Sequence, residues 1–179
     1  TLSLCLADLL PHPRVMKYRR QSMTAFRLSF VFLFVSVSLI AQTDADYALR
    51  HRHASGINTP YAVFCPFTTR PQKHWFSDRW AQLTRLLPDQ LGLPVMLLGG
   101  PGDRQAATEI VQLSAGNLVN LTGDTTLGQT AALIDGAQLL IGVDTGLTHL
   151  GIALDVPTIG LFGSTRPYLD PAMPKATIL

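Results

Sequence analysis

Several common chemistries are missing from this chain. Its cysteines and histidines nowhere fall at metal-ligand spacing, so a zinc site is not indicated. The only two cysteines, Cys5 and Cys65, stand far apart. Cys65 lies in an apolar run and reads as a buried thiol rather than half of a disulfide, which is compatible with a reducing compartment. No long basic tract occurs and aromatic residues make up only 8% of the chain, so nothing points to nucleic acid. The run Gly99-Gly100-Pro101-Gly102 lacks the G-x-G-x-x-G spacing and no Walker lysine follows it, which leaves NAD and P-loop mechanisms unsupported. A G-x-S-x-G nucleophile elbow is absent as well.

A full membrane crossing is also disfavoured. Residues 28–41 form an apolar and serine run that would span about 21 Å as a helix, against a hydrocarbon core of about 30 Å. Lys17, Arg19, Arg20 and Arg27 precede it, and read from Met23 the segment mimics a secretory signal ending at Ala41-Gln42. Three explanations stand in order: a remnant or misread frame of a missing N-terminal half, an interfacial membrane anchor, or an export signal. Asp44-Ala45-Asp46 has the form of a metal-binding DxD, but so short a match beside a linker-like region reads as a solvated turn, and residues 51–60 read as connecting segment. Residues 1–57 thus form an atypical N-terminal segment. Residues 58–179 are the domain, within a chain of 179 residues, 47% hydrophobic content and net charge +2, which suffices for one core.

What is present is regular. Apolar runs at residues 61–66, 95–98, 118–121, 139–143 and 156–162 predict strands, and helices are expected through Leu87 with Ser77 as N-cap and Pro88 as stop, over about 105–113, up to Gly136, and after residue 145. Strands without polar alternation, separated by helices and short loops, predict an α/β fold with an open parallel Rossmann-like sheet. All strand-exit loops of such a sheet share one rim, where ligands bind.

The fourth exit is the most informative. Val143-Asp144-Thr145-Gly146-Leu147-Thr148-His149 carries a buried strand into a helix N-terminus, whose unpaired amides and dipole favour an anion such as a diphosphate. Thr145 offers a hydroxyl, Gly146 allows close approach, and His149 shares their helical face. Asp144 beside a diphosphate is repulsive, so it should face sugar hydroxyls or cap the helix. The other exits bring Thr69 and Lys73, Asp103, Thr125 and Arg166 to the same rim. Lys73 is the candidate for stabilising negative charge on a departing diphosphate without a metal. Arg70 and His74 beside it have similar options. Asp103 can accept from sugar hydroxyls or serve only its turn.

Thr68-Thr69-Arg70-Pro71-Gln72-Lys73-His74-Trp75, Gly142 to Leu150, Ala153-Leu154-Asp155-Val156-Pro157 and Leu161-Phe162-Gly163 together resemble the C-terminal half of ADP-heptose:lipopolysaccharide heptosyltransferases of glycosyltransferase family 9, in wording nearest the heptosyltransferase I type. The resemblance covers residues 61–171. It implies the donor-binding half of a GT-B glycosyltransferase: inverting, metal-independent, without a cofactor beyond its donor substrate ADP-heptose. The acceptor it implies is Kdo-lipid A, and the place is the cytoplasmic face of the inner membrane, with peripheral association. Carried over by residue, Thr69 and Lys73 contact the diphosphate, Asp103 the ADP portion, Thr125 the nucleotide pocket, and Asp144, Thr145, Gly146 and His149 the heptose and phosphates. Asp103 and Thr125 depart from the glutamate and methionine of the family pattern. The acceptor domain with its aspartate base has no counterpart in residues 1–57, and further helices are expected after Leu179. The chain is therefore expected to bind ADP or ADP-heptose weakly and to turn over little alone. Another GT-B sugar-nucleotide transferase, or a non-catalytic membrane-associated nucleotide-binding remnant, are the competing readings.

Overall fold

Strands form where the unalternating apolar runs stand. In the computed structural model, which describes residues 42–58, 60–116, 118–163, 165 and 175–179, these are β1 (Ala62–Cys65), β2 (Val95–Leu97), β3 (Val119–Asn120), β4 (Leu139–Val143) and β5 (Thr158–Leu161). A further strand, β6 (Ala176–Ile178), pairs with β5 at the sheet edge. The apolar run 28–41, Cys5 and Arg166 lie outside the described residues. All pairings are parallel, in the order β3-β2-β1-β4-β5-β6. The chain therefore winds outward in one direction from β1 and then in the other from β4. Where the direction switches, the exits of β1 and β4 diverge and open a crevice.

Alternate residues of the central strands feed two cores. Ala62 and Phe64 join Trp80, Leu97, Ala107 and Ile110 on the face covered by α2 (Ser77–Leu91) and α3 (Arg104–Leu113). Tyr61, Val63 and Cys65 join Leu133, Ile134 and Leu140 on the face of α4 (Leu127–Asp135) and α5 (Gly146–Ala153). Each large apolar side chain buried here contributes about 1.5–3 kcal/mol. Phe64 and Trp80 pack with ring centroids 5.1 Å apart, and Trp75 meets Trp80 edge-on at 5.3 Å.

Residues 42–54, read from sequence as part of the atypical segment, contain a helix, α1. The compact unit runs from Asp44 to Leu179, and Tyr47, Ala48 and Ile57 belong to the second core, with Arg52 over the Tyr61 ring at 4.8 Å. Asp44-Ala45-Asp46 is accordingly helical rather than a turn, and the Asp44 carboxylate lies against Gly128 in the first turn of α4, where the helix dipole favours it. Tyr61 donates its hydroxyl to the Leu133 carbonyl at 2.6 Å, and burial pushes its pKa up to about 12.

α2 departs from expectation at both ends. Its N-cap is Phe76, while Ser77 is helical and donates to Glu109 on α3 at 3.1 Å. Pro88 does not stop it, because the buried stripe of Trp80, Ala81, Thr84 and Leu87 holds the helix on the sheet and proline removes a single bond. The stop is Gly92 at φ 67, with Gly92 N–H on the Pro88 carbonyl and Leu93 N–H on that of Leu87. At α4, Thr126 Oγ1 accepts from Gln129 N–H at 3.2 Å while Gln129 Oε1 accepts from Thr126 N–H at 3.0 Å. Thr126→Ala is expected to lower stability by about 1 kcal/mol, read as a shift of the denaturant midpoint at unchanged slope.

Candidate functional site

Short local bonds aim the side chains of the switch point. After β1 the chain turns through a 3-10 segment, Pro71–Lys73, closed by Lys73 N–H on the Arg70 carbonyl at 3.0 Å. His74 Nε2 lies 2.8 Å from the Thr68 carbonyl and ties the loop base, so His74 serves the loop rather than the cleft. Lys73 thereby points across to the exit of β4, and its ammonium pairs with Asp144 Oδ2.

α5 begins immediately beyond. Thr145 is its N-cap in extended conformation (φ −144, ψ 159), and no side chain caps the helix. The first helical bonds run from Thr148 N–H and His149 N–H to the Thr145 carbonyl, at 3.1 and 3.2 Å. The preceding amides, those of Gly146 and Leu147, therefore start the helix without an intrahelical acceptor. α4 has its capping box; α5 leaves this end open to an anion. Buried Thr148 fastens the helix to its strand by donating to the Val143 carbonyl at 2.6 Å.

Asp144 does not cap α5. Its Oδ2 accepts from Lys73 and from the Thr165 hydroxyl, and His149 Nε2 lies 3.3 Å from Oδ1. Its side chain is only 12% exposed. That burial would raise its pKa, but hydrogen bonds from Lys73, Thr165 and His149, together with the Lys73 charge, outweigh it and hold the carboxyl below its ordinary value. The unfolded chain takes up the proton near 3.8 and the folded chain only below that. The stabilisation is therefore whole above the ordinary value and is lost as pH falls through the depressed one. Asp144→Asn is expected to cost about 1–3 kcal/mol near neutrality, and the difference from wild type should close in acid, measured by denaturant unfolding across pH.

Thr69, Lys73, Asp103, Asp144, Thr145, Gly146 and His149 all line one cleft of about 360 Å³, with Arg70 and buried Phe67. Thr125 does not reach it. It lines a second cavity of about 250 Å³, where Phe67, Asp103 and Thr145 are shared walls and Cys65, Leu98 and Leu147 add apolar surface. The Thr125 hydroxyl pairs with that of Thr130 at 2.8 Å. Asp103 has one oxygen committed to its own turn, Oδ2 accepting from Gly100 N–H at 2.8 Å. Sequence reasoning missed two neighbours. Phe162 meets the His149 ring edge-on at 5.7 Å, and Thr165 bonds Asp144. Both follow β5, so an exit position was the one signal available. Cys65 is a free buried thiol whose pKa burial raises. Among the described residues no group of three His, Cys, Asp or Glu converges as a metal site, and no helix is long and apolar enough to cross a membrane.

The winding order and the crevice at its reversal define a Rossmann-like α/β domain with a cleft lined by polar side chains at the switch point. Comparison with known proteins narrows this. Residues 35–179 match the family described as glycosyltransferase family 9 (heptosyltransferase), and the chain belongs to that family. Lipopolysaccharide heptosyltransferase 1 of Escherichia coli K12 is 36% identical over 132 residues, covering 72% of this chain and 40% of that protein. The chain thus spans about two fifths of the length of this relative. Among solved structures, a family 9 glycosyltransferase from Veillonella parvula superposes with TM-score 0.70 at 27% identity, over 76% of this chain and 40% of its own. E. coli heptosyltransferase WaaC with ADP-2-deoxy-2-fluoro heptose does so with TM-score 0.57 at 35% identity, over 66% and 36%.

Proposed function

We propose that this domain is the donor-binding half of a heptosyltransferase and that ADP-heptose is its ligand. The observation that carries the reading is the Lys73–Asp144 pair set beside the uncapped start of α5. An ammonium has three donors. With one on Asp144, two remain for phosphate oxygens, and the pair keeps the carboxylate's charge neutralised as a diphosphate enters. Gly146 and Leu147 amides supply the other side of the cradle. The open oxygen of Asp144 and the His149 ring face the space where a sugar hydroxyl would lie, and the second cavity takes the nucleoside.

In the transfer, an acceptor hydroxyl oxygen bonds to the sugar's anomeric carbon with inversion as the bond from that carbon to the diphosphate oxygen breaks. The hydroxyl proton passes to a base, and the electron pair leaves with ADP. Lys73 and the two amides stabilise the charge that develops on the leaving oxygen, which is what a preorganised electrostatic site contributes without a metal. In this reading the base and the acceptor, Kdo-lipid A, belong to the other half of a two-domain enzyme working peripherally on the cytoplasmic face of the inner membrane. The names of the relatives, lipopolysaccharide heptosyltransferases, support heptose as the transferred sugar and lipopolysaccharide as the acceptor class.

Calorimetric titration separates the donor classes. ADP is expected to bind, and AMP, lacking the β-phosphate that meets Lys73, to bind about 10–100-fold more weakly. UDP and GDP should follow behind ADP. Equal affinity for AMP and ADP, or none for either, would refute the reading.

A further inference from the structure

The exit of β5 supplies the cleft with a side chain that acts through another. Thr165 lies 21 residues from Asp144 and donates its hydroxyl to Oδ2, the same oxygen that takes Lys73. A carboxylate oxygen accepts about two hydrogen bonds. Oδ2 is thus filled by protein donors, while Oδ1 has His149 Nε2 at 3.3 Å and a lone pair to spare. Lysine alone does not impose this division, because its ammonium is a point charge on a flexible stem without a directional fork. A hydroxyl from a second direction fixes the rotation of the carboxylate, and the carboxylate in turn fixes the ammonium. Among the described residues, the charged and titratable groups around Asp144 are Lys73 from the β1 exit and the His149 imidazole from α5, with Arg70 and Asp103 on the walls of the same cleft.

We infer that Thr165 is a positioning residue of the donor site: by holding Asp144 Oδ2 it sets where the Lys73 ammonium meets the diphosphate and leaves Oδ1 for a ligand hydroxyl. The inference rests on the diphosphate reading above. Thr165 is exposed, so Thr165→Val removes the hydroxyl at nearly constant volume without disturbing a core.

The test uses the full chain, with ADP as probe in calorimetry and a carbon-detected NMR titration of the Asp144 carboxyl. Thr165→Val is expected to weaken ADP about fivefold and to raise the Asp144 midpoint, and Thr165→Ser to restore both. In an Asp144→Ala background the same valine substitution should change ADP affinity negligibly, because the group it acts through is gone. A wild type that binds ADP while Thr165→Val matches it in affinity and midpoint overturns the inference alone. An equal loss in the Asp144→Ala background overturns it too, since Thr165 would then act elsewhere. A wild type that does not bind ADP overturns the diphosphate reading and this inference together.

Discussion

Replacing Lys73 by methionine is expected to weaken ADP binding by about one to two decades, the worth of one charge-assisted hydrogen bond removed from a cleft with few alternatives. Methionine keeps the apolar stem, so the turn Pro71–Lys73 should still form. The charge is what disappears. Asp144 keeps Thr165 and His149 as partners but loses its cation, so its carboxyl rises towards the value that burial alone would impose. Stability should fall as well, because a largely enclosed carboxylate is left without its counter-charge. Lys73→Arg is expected to recover part of the affinity but not all, since a planar fork does not reproduce a compact ammonium. Calorimetry on the three chains at two salt concentrations reads the effect. Wild-type affinity should drop as salt rises, and that of Lys73→Met should respond less.

Gly142→Ala is the second large effect and tests how the sheet carries the site. Gly142 is the register partner of Cys65, where β4 lies against β1. A Cβ there would collide with Thr148 Oγ1 and come within 3.1 Å of Cys65 Cβ and 3.2 Å of the Cys65 carbonyl oxygen. Neither side can give. β1 is held by β2 and β4, and Thr148 is fully buried with its hydroxyl committed to Val143. The remaining movement is that of α5 away from its strand. Stability is expected to fall by about 1–3 kcal/mol, as in other overpacked cores. ADP affinity should fall with it, because the amides of Gly146 and Leu147 travel with the helix. Adding Thr148→Ala removes the nearest atom and should return part of the stability. Denaturant unfolding and calorimetry on the two variants separate a general loss of stability from a displaced helix start.

The legibility of this chain follows physical range. Strands β1, β2 and β4 were readable because residues buried on both faces of a parallel sheet lose polar alternation, and the pair Asp144-Thr145 marked a helix start by local chemistry alone. Helix α1 was not readable, because Arg50-His51-Arg52-His53 looks like a solvated connection until Tyr47, Ala48 and Ile57 are seen in the core. β6 is three residues of edge strand, too short for a period to declare itself. That the strand exits share one rim was legible, the contacts between them less so. Lys73 and Asp144 are 71 residues apart, and they meet because β1 and β4 are neighbours in the sheet, a fact of strand order that no spacing encodes. Its local sequence suits Asp144 to capping α5 or meeting a sugar; the ammonium of Lys73 and the Thr165 hydroxyl take its Oδ2 instead, and no side chain caps the helix.

The most direct measurement is the amide spectrum of the isotopically labelled chain during titration with ADP. The Gly146 and Leu147 resonances should move, saturating with the calorimetric affinity, and Lys73→Met should abolish most of that movement. ADP binding in which those two amides stay in place would contradict the account.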